Sequence, residues 1–238
     1  MSLNKQPGNL LSSLPREGGG PVKLSGSALA SRPHICAFFQ SADDEYRVLL
    51  PFIKEGLDLG EKAVHTIDPR GLDEHRLRLA SAGIETAALE KCGQLELRDW
   101  ANTHLRGGSF DQQKTLDLFE EVVKDAKQNG FPLIRFVTHM EWVLETKMDP
   151  NELLEYEAKT NELWLRPTGP IDPIICTYDL RRFRGDIVVD VMRTHPLVIV
   201  GGILQENPFF VPPDEFLREL RGRRTQPNQS LAVDSGPV

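Results

Sequence analysis

The segment from His34 to Asp68, HICAFFQSADDEYRVLLPFIKEGLDLGEKAVHTID, leaves this chain few folds to choose from. Ile35 to Phe39 is a short apolar run that reads as a strand, with His34 and Cys36 on one side of it by period-two alternation. Ser41 follows as an N-cap, with Asp43, Asp44 and Glu45 in the first turn of a helix. Tyr46, Leu49, Leu50, Ile53 and Leu57 recur at helical spacing, and Gly56 and Gly60 loosen the helix end. Ala63 to Ile67 makes a second strand that closes on Asp68-Pro69. Strand, turn, helix and strand form a βαβ unit, whose first turn is the usual place for a ligand. Here that turn is Gln40-Ser41-Ala42-Asp43-Asp44, without glycine or lysine. It is no phosphate cradle, and its acids favour an uncharged or cationic ligand.

The alternation continues along the chain. Arg70 to Ala82 is helix-prone and stops at Gly83, and a short strand is expected near Ile84. Gln94 to Arg98 reads as a strand ending at Asp99-Trp100. Phe110 to Gln128 is a helix with Leu116, Phe119, Val122, Val123 and Ala126 on one face. Leu133 to Thr138 is a strand, and Asp149-Pro150 opens a helix that runs to Leu165. Ile171 to Tyr178 is a buried strand, Phe183 to Arg193 a helix and Leu197 to Val200 a last strand. Asn207 to Pro213 is extended, and Asp214 to Arg221 is a terminal helix. Strands alternating with helices imply an α/β fold, a mostly parallel sheet with helices on both faces. The expected organisation is a disordered leader over 1–32, a single domain over 33–222 and a disordered tail over 223–238.

A net charge of −7 and a sequence pI near 5.4 argue against a nucleic-acid-binding face, and no helix-turn-helix pattern occurs. Cys36, Cys92 and Cys176 are widely spaced and suit free thiols in a reducing compartment. With no signal peptide and no transmembrane run, a cytoplasmic location away from the membrane is expected.

Ligands of open parallel sheets bind beyond the carboxyl ends of the strands. Those ends deliver Phe39, Gln40 and Ser41, then Asp68, Asp99, Thr138, His139, Glu141, Tyr178 and Asp179. Histidine, glutamate, tyrosine and aspartate converging on one crevice suit a small polar ligand or acid–base chemistry. The plainer reading is that the acids at strand ends cap the following turns. Arg135 inside an apolar strand and Glu157 on an apolar helix are expected to form a buried structural pair. His34 and Cys36 lack a second close-spaced His/Cys pair, so no metal site is expected. No GxSxG elbow occurs, Cys176 sits in an apolar strand as inert packing, and His195-Pro196 reads as a helix-to-strand corner.

These residues together resemble the MEDS domain, a sensory domain of methanogen and methylotroph regulators. The likeness rests on the opening HICAFFQSADDEYRVLLPFIKEGLDLGEKAV, on Gly93-Gln94-Leu95 and on Gly107 to Asp111. It continues through Arg135 to Trp142, Tyr156-Glu157-Ala158 with Asn161, and Cys176-Thr177-Tyr178-Asp179. It ends with His195-Pro196 and Asn207-Pro208-Phe209-Phe210. The resemblance implies a RecA/KaiC-like fold that senses small hydrocarbon derivatives. The chain lacks both GxxxxGK[ST] and an aspartate closing the strand at Leu133 to Thr138, so no nucleotide cofactor and no catalysis are expected. His139 stands where the family commonly has glycine, and Thr177 where it commonly has glutamine. The expected ligand contacts are polar ones from Ser41, Asp68, His139, Glu141, Tyr178 and Asp179, with Phe39 and Trp142 as apolar walls. Output is expected through a separate regulatory protein, either a transcription regulator, a kinase or an anti-sigma-like factor. An enzyme using the His/Glu pair, a pure interaction module and retained nucleotide binding stand as alternatives.

Overall fold

The structure is a computed structural model that describes residues 21–29, 34–146, 148–166 and 171–225. Its chain order begins with a small hairpin, β1 (Lys23–Leu24) and β2 (Ser27–Ala28). The βαβ unit follows as β3 (His34–Phe39), α1 (Ala42–Asp58) and β4 (Lys62–Ile67). Next come α2 (Leu72–Ser81), α3 (Thr86–Lys91), β5 (Leu95–Asp99) and α4 (Gln112–Gln128). The second half holds β6 (Ile134–His139), α5 (Pro150–Leu165), β7 (Ile174–Asp179) and α6 (Gly185–Arg193). The last elements are β8 (Leu197–Val200), β9 (Ile203–Glu206) and α7 (Pro213–Thr225).

Seven strands form one sheet in the order β5-β4-β6-β7-β3-β8-β9, parallel except for the β8–β9 pair. β3 lies between β7 and β8, and all six of its residues are buried. That position explains its unbroken apolar run, because a central parallel strand has no solvent face. Alternation then divides the sheet into two cores. Ile35, Ala37, Phe39, Val137 and Ile175 pack with Leu49, Phe52, Ile53 and Leu57 of α1 and Leu79 of α2. Cys36, Phe38, Phe136, Cys176 and Tyr178 face the opposite way, toward α4, α5, α6 and α7.

Several local expectations need correction. No strand forms near Ile84: Gly83 ends α2 with φ +78°, and α3 begins at Thr86. Leu197 to Val200 is not the last strand: β9 follows it through a two-residue turn with both glycines at positive φ (60° and 79°), ahead of the segment Asn207 to Pro213. Gly-Gly between two apolar runs is a hairpin signal that sequence reading passed over. The expected leader contains the β1–β2 hairpin, whose Val22, Leu24 and Leu29 are buried in the α1-side core. The rest of that leader (1–20 and 30–32) and most of the expected tail (226–238) lie outside the described residues, while α7 carries the fold to Thr225.

Gly56 does more than loosen the end of α1. A Cβ there would overlap Nε and Cδ of Arg135, which reaches from β6 across the helix. The small residue is what lets strand and helix close on a guanidinium.

Candidate functional site

A cavity of about 220 Å³ opens at the carboxyl edge of the sheet, on the α1 side. At roughly 30 Å³ per water it has room for a molecule of only a few heavy atoms. Phe39, His139 and Asp179 reach it because they share the α1-facing parity of β3, β6 and β7. Ser41, Glu45 and Tyr46 enter from the first turns of α1, Asp68 from the end of β4, and Glu141 from the 3-10 turn after β6. Glu74 and Arg78 of α2, with Arg181 and Arg182 after β7, complete the rim.

Six of the eight residues expected to contact a ligand therefore line one cavity: Phe39, Ser41, Asp68, His139, Glu141 and Asp179. Tyr178 and Trp142 do not. Tyr178 has the opposite strand parity from Asp179; it is fully buried and donates its hydroxyl to Glu157 on the α5 face. Trp142 is rolled under by the 3-10 turn Met140–Glu145 and stacks on His104, with ring centroids 4.6 Å apart. In the sequence Glu45 reads only as an acid of the helix's first turn and Tyr46 only as part of its periodic face, while Arg181 and Arg182 are not singled out. The two arginines lie within three residues of a strand end, where the rule that found Asp179 would also have found them.

The acids of this crevice are largely committed to partners. Ser41 caps α1 by accepting from the Asp44 amide at 3.2 Å. Asp68 accepts from the Arg70 amide at 2.9 Å and pairs with the Arg70 guanidinium at 2.7 Å, so its carboxyl is held below the usual range. Asp179 does the same with Arg181, at 2.9 and 2.8 Å. The capping reading of these aspartates holds for both. Glu141 accepts from the Asp179 amide at 2.9 Å, and burial raises its pKa. His139 Nε2 lies 2.9 Å from Glu45 Oε1. Burial opposes the imidazolium, but Glu45, Glu141 and Asp68 outweigh it and lift the His139 pKa to about 9. The five carboxylates of the lining thus face three guanidiniums and an imidazolium, and of the turn's acids only Glu45 reaches the cavity, where it pairs with His139.

Behind His139 a polar chain runs inward. Tyr46 Oη lies 2.7 Å from His75 Nδ1, and His75 Nε2 lies 2.9 Å from His65 Nδ1. Burial holds both histidines neutral, with His65 lowered to about 3. A larger, shallower groove of about 570 Å³ lies between the β1–β2 hairpin and α1, lined by Lys23, Arg47, Glu55 and Gly202 among others. Its rim presents no histidine, and Glu55 there is tied to Arg135.

The expected pair of Arg135 and Glu157 does not form. Arg135 has the α1-facing parity and binds Glu61 at 2.6 Å, Glu55 at 2.9 Å and the Phe52 carbonyl. Glu157 comes from α5 on the other side of the sheet, so the strand layer separates the two. Its neighbours are His34, Cys176, His195 and Tyr178. His34 accordingly has the metal-ligating company that sequence spacing denied it.

A mostly parallel sheet in this strand order, with helices on both faces, defines an α/β protein of RecA/KaiC-like fold. In agreement, a solved KaiC-like protein of the archaeon Pyrococcus horikoshii superposes with a TM-score of 0.50 at 16% identity, over 72% of each chain. The chain belongs to the MEDS family (MEthanogen/methylotroph, DcmR Sensory domain), whose model matches residues 33–196. The transcriptional repressor DcmR of Methylorubrum extorquens is 26% identical over 176 residues. That match covers 73% of this chain and 62% of the repressor. No helix among the described residues is long and apolar enough to cross a membrane.

Proposed function

We propose that this chain is a non-catalytic sensor that takes up a small, uncharged organic molecule, of the hydrocarbon-derivative class, in the crevice beside His139. The reading rests on one observation: a small cavity at the carboxyl edge whose carboxylates are already matched by arginines and His139. A charged ligand would have to displace one of those partners, whereas a neutral one need not. Phe39 and Ile67 offer apolar wall, and His139, Ser41 and Glu141 offer hydrogen bonds. Binding is read out by favouring one conformer of the edge turns, Ser41 to Tyr46 and Met140 to Glu145, over another. A regulatory partner detects that change in the cytoplasm, a role supported by the relationship to a transcriptional repressor.

Acid–base catalysis fits the crevice less well. With its pKa lifted to about 9, His139 is an imidazolium at neutral pH and has no lone pair with which to abstract a proton. The P-loop chemistry of the RecA/KaiC relatives is absent for the reason given by the turn: Gln40 to Asp44 supply neither lysine nor a glycine nest.

The test is a thermal-shift screen of small neutral organics, halocarbons and short alcohols among them, on the wild type and on His139→Ala and Glu45→Gln. A ligand that raises the wild-type Tm and loses that effect in both variants is the expected result. A ligand that stabilises all three proteins equally would place binding elsewhere, and turnover of the ligand would overturn the non-catalytic reading.

A further inference from the structure

On the α5 side of the sheet, four side chains from four separate parts of the chain converge where the family-level reading assigns nothing. His34 starts β3, Glu157 lies on α5, Cys176 lies on β7, and His195 precedes β8. Their nearest ligand-type atoms lie within 4.8 Å of one another, and none of the four residues is more than 2% exposed.

The separations are long for hydrogen bonds and right for something else. His34 Nε2 is 3.3 Å from Glu157 Oε2 and 3.4 Å from Cys176 Sγ. His195 Nε2 is 3.4 Å from the same Glu157 oxygen, and Cys176 Sγ is 3.9 Å from it. Charge-assisted hydrogen bonds are shorter, about 2.7–2.9 Å. A tetrahedron built with zinc bonds of about 2.0–2.3 Å to nitrogen, oxygen and sulfur has edges of about 3.3–3.7 Å. Three of the four separations match such edges, and the Cys176–Glu157 one is slightly longer.

The surrounding groups orient two of the four as ligands. His195 Nδ1 lies 2.9 Å from the Val191 carbonyl, which can only accept, so Nδ1 carries a proton there. With the ring neutral, that leaves a lone pair on Nε2, 3.4 Å from the carboxylate and with no hydrogen-bond partner. A lone pair facing a carboxylate is repulsive unless a cation stands between them. Tyr178 donates to Glu157 Oε1, which leaves Oε2 to face the cluster. A histidine donating its outer N–H to a backbone carbonyl and a carboxylate held by a hydroxyl are the usual outer partners of metal ligands.

We propose that His34, Glu157, Cys176 and His195 form a closed, buried site for one zinc-type divalent cation. Two neutral imidazoles, a thiolate and a carboxylate cancel the charge of the ion, so the filled site is neutral in a dry interior. With every ligand side chain buried, no coordination position faces solvent, which makes this a structural site. It pins β3, α5, β7 and the start of β8 together on the face opposite the crevice. The metal enters as the chain folds, because no open path leads to the finished site.

The experiment uses the full chain, prepared without a histidine tag, and Zn²⁺ or Co²⁺ alone as probe. Elemental analysis is expected to find one equivalent of zinc per chain after dialysis. X-ray absorption on the wild type is expected to show one sulfur and three nitrogen or oxygen scatterers. Refolding with Co²⁺ should give the intense visible bands of a tetrahedral site with a thiolate charge-transfer band. Cys176→Ser should remove that band, and Cys92→Ser, at an exposed position, should leave it. A wild type that refolds to full native structure in chelator and binds neither ion overturns the proposal. So does a metal without a sulfur ligand, or a charge-transfer band that survives Cys176→Ser. Should Cys176→Ser fail to fold, the wild-type absorption spectrum decides alone.

Discussion

Arg135 and Glu157 are the two charges most deeply buried in this sheet, one on each face, and they are satisfied in different ways. Arg135 is saturated: Glu61, Glu55 and the Phe52 carbonyl take its guanidinium, and the Phe52 ring lies 4.6 Å from its centre. Every neighbour is an acceptor or a ring face, at hydrogen-bonding distance and with no space left. Glu157 is crowded by groups that bind cations, yet most of its contacts run from 3.3 to 3.9 Å. A closed ion-pair network excludes any further species, whereas the second arrangement gathers ligand-type atoms of the kind a cation binds. Two isolated buried charges in a sequence invite the inference that they pair with each other. The sheet between them shows that each has its own solution.

The largest expected effect breaks the saturated side. Arg135→Ala removes the buried guanidinium that Glu61, Glu55 and the Phe52 carbonyl share and should cost about 3–5 kcal/mol, read as a fall in the denaturation midpoint. Chelation breaks the other side. A metal held at a hundredfold excess over its Kd stabilises by about 2.7 kcal/mol, so stripping it should lower the wild-type Tm accordingly. Glu157→Gln should abolish most of that chelator sensitivity, while Arg135→Ala should retain it. Gly56→Ala sharpens the contrast more gently, because its new methyl group overlaps the Arg135 guanidinium and should cost about 1–3 kcal/mol by overpacking.

A pH-dependent effect belongs to the half-open crevice. The folded pKa of His139, about 9, lies above its unfolded value near 6.5. Its stabilising contribution is therefore full below about pH 6.5 and is lost as the pH rises through 9. Stability should decline across that window by up to about 3 kcal/mol, the full worth of the shift at about 1.4 kcal/mol per unit. Glu45→Gln should flatten the decline; an unchanged slope would mean that another group titrates there.

Much of this was legible in the chain. The βαβ unit, the parallel sheet and the helices with caps at Ser41 and Asp149 follow from local periodicity and capping chemistry. So does the choice of the carboxyl edge. What escaped was parity and distance. Tyr178 and Asp179 are adjacent in sequence but project to opposite faces, and counting both as crevice residues ignored the period-two rule. The company of His34 could not be read at all, since Glu157, Cys176 and His195 lie more than a hundred residues away and meet it only once β3 is paired with β7 and β8. The hairpin at 23–28 was hidden for another reason: it is too short to show a period, and only its packing on α1 holds it.

Sensing of a small neutral molecule at the carboxyl edge is best tested by hydrogen exchange with and without the best stabilising ligand. Protection is expected in the turns Ser41 to Tyr46 and Met140 to Glu145, with little change in the β1–β2 hairpin. Protection confined to the hairpin and the outer face of α1, with those two turns unchanged, would contradict it.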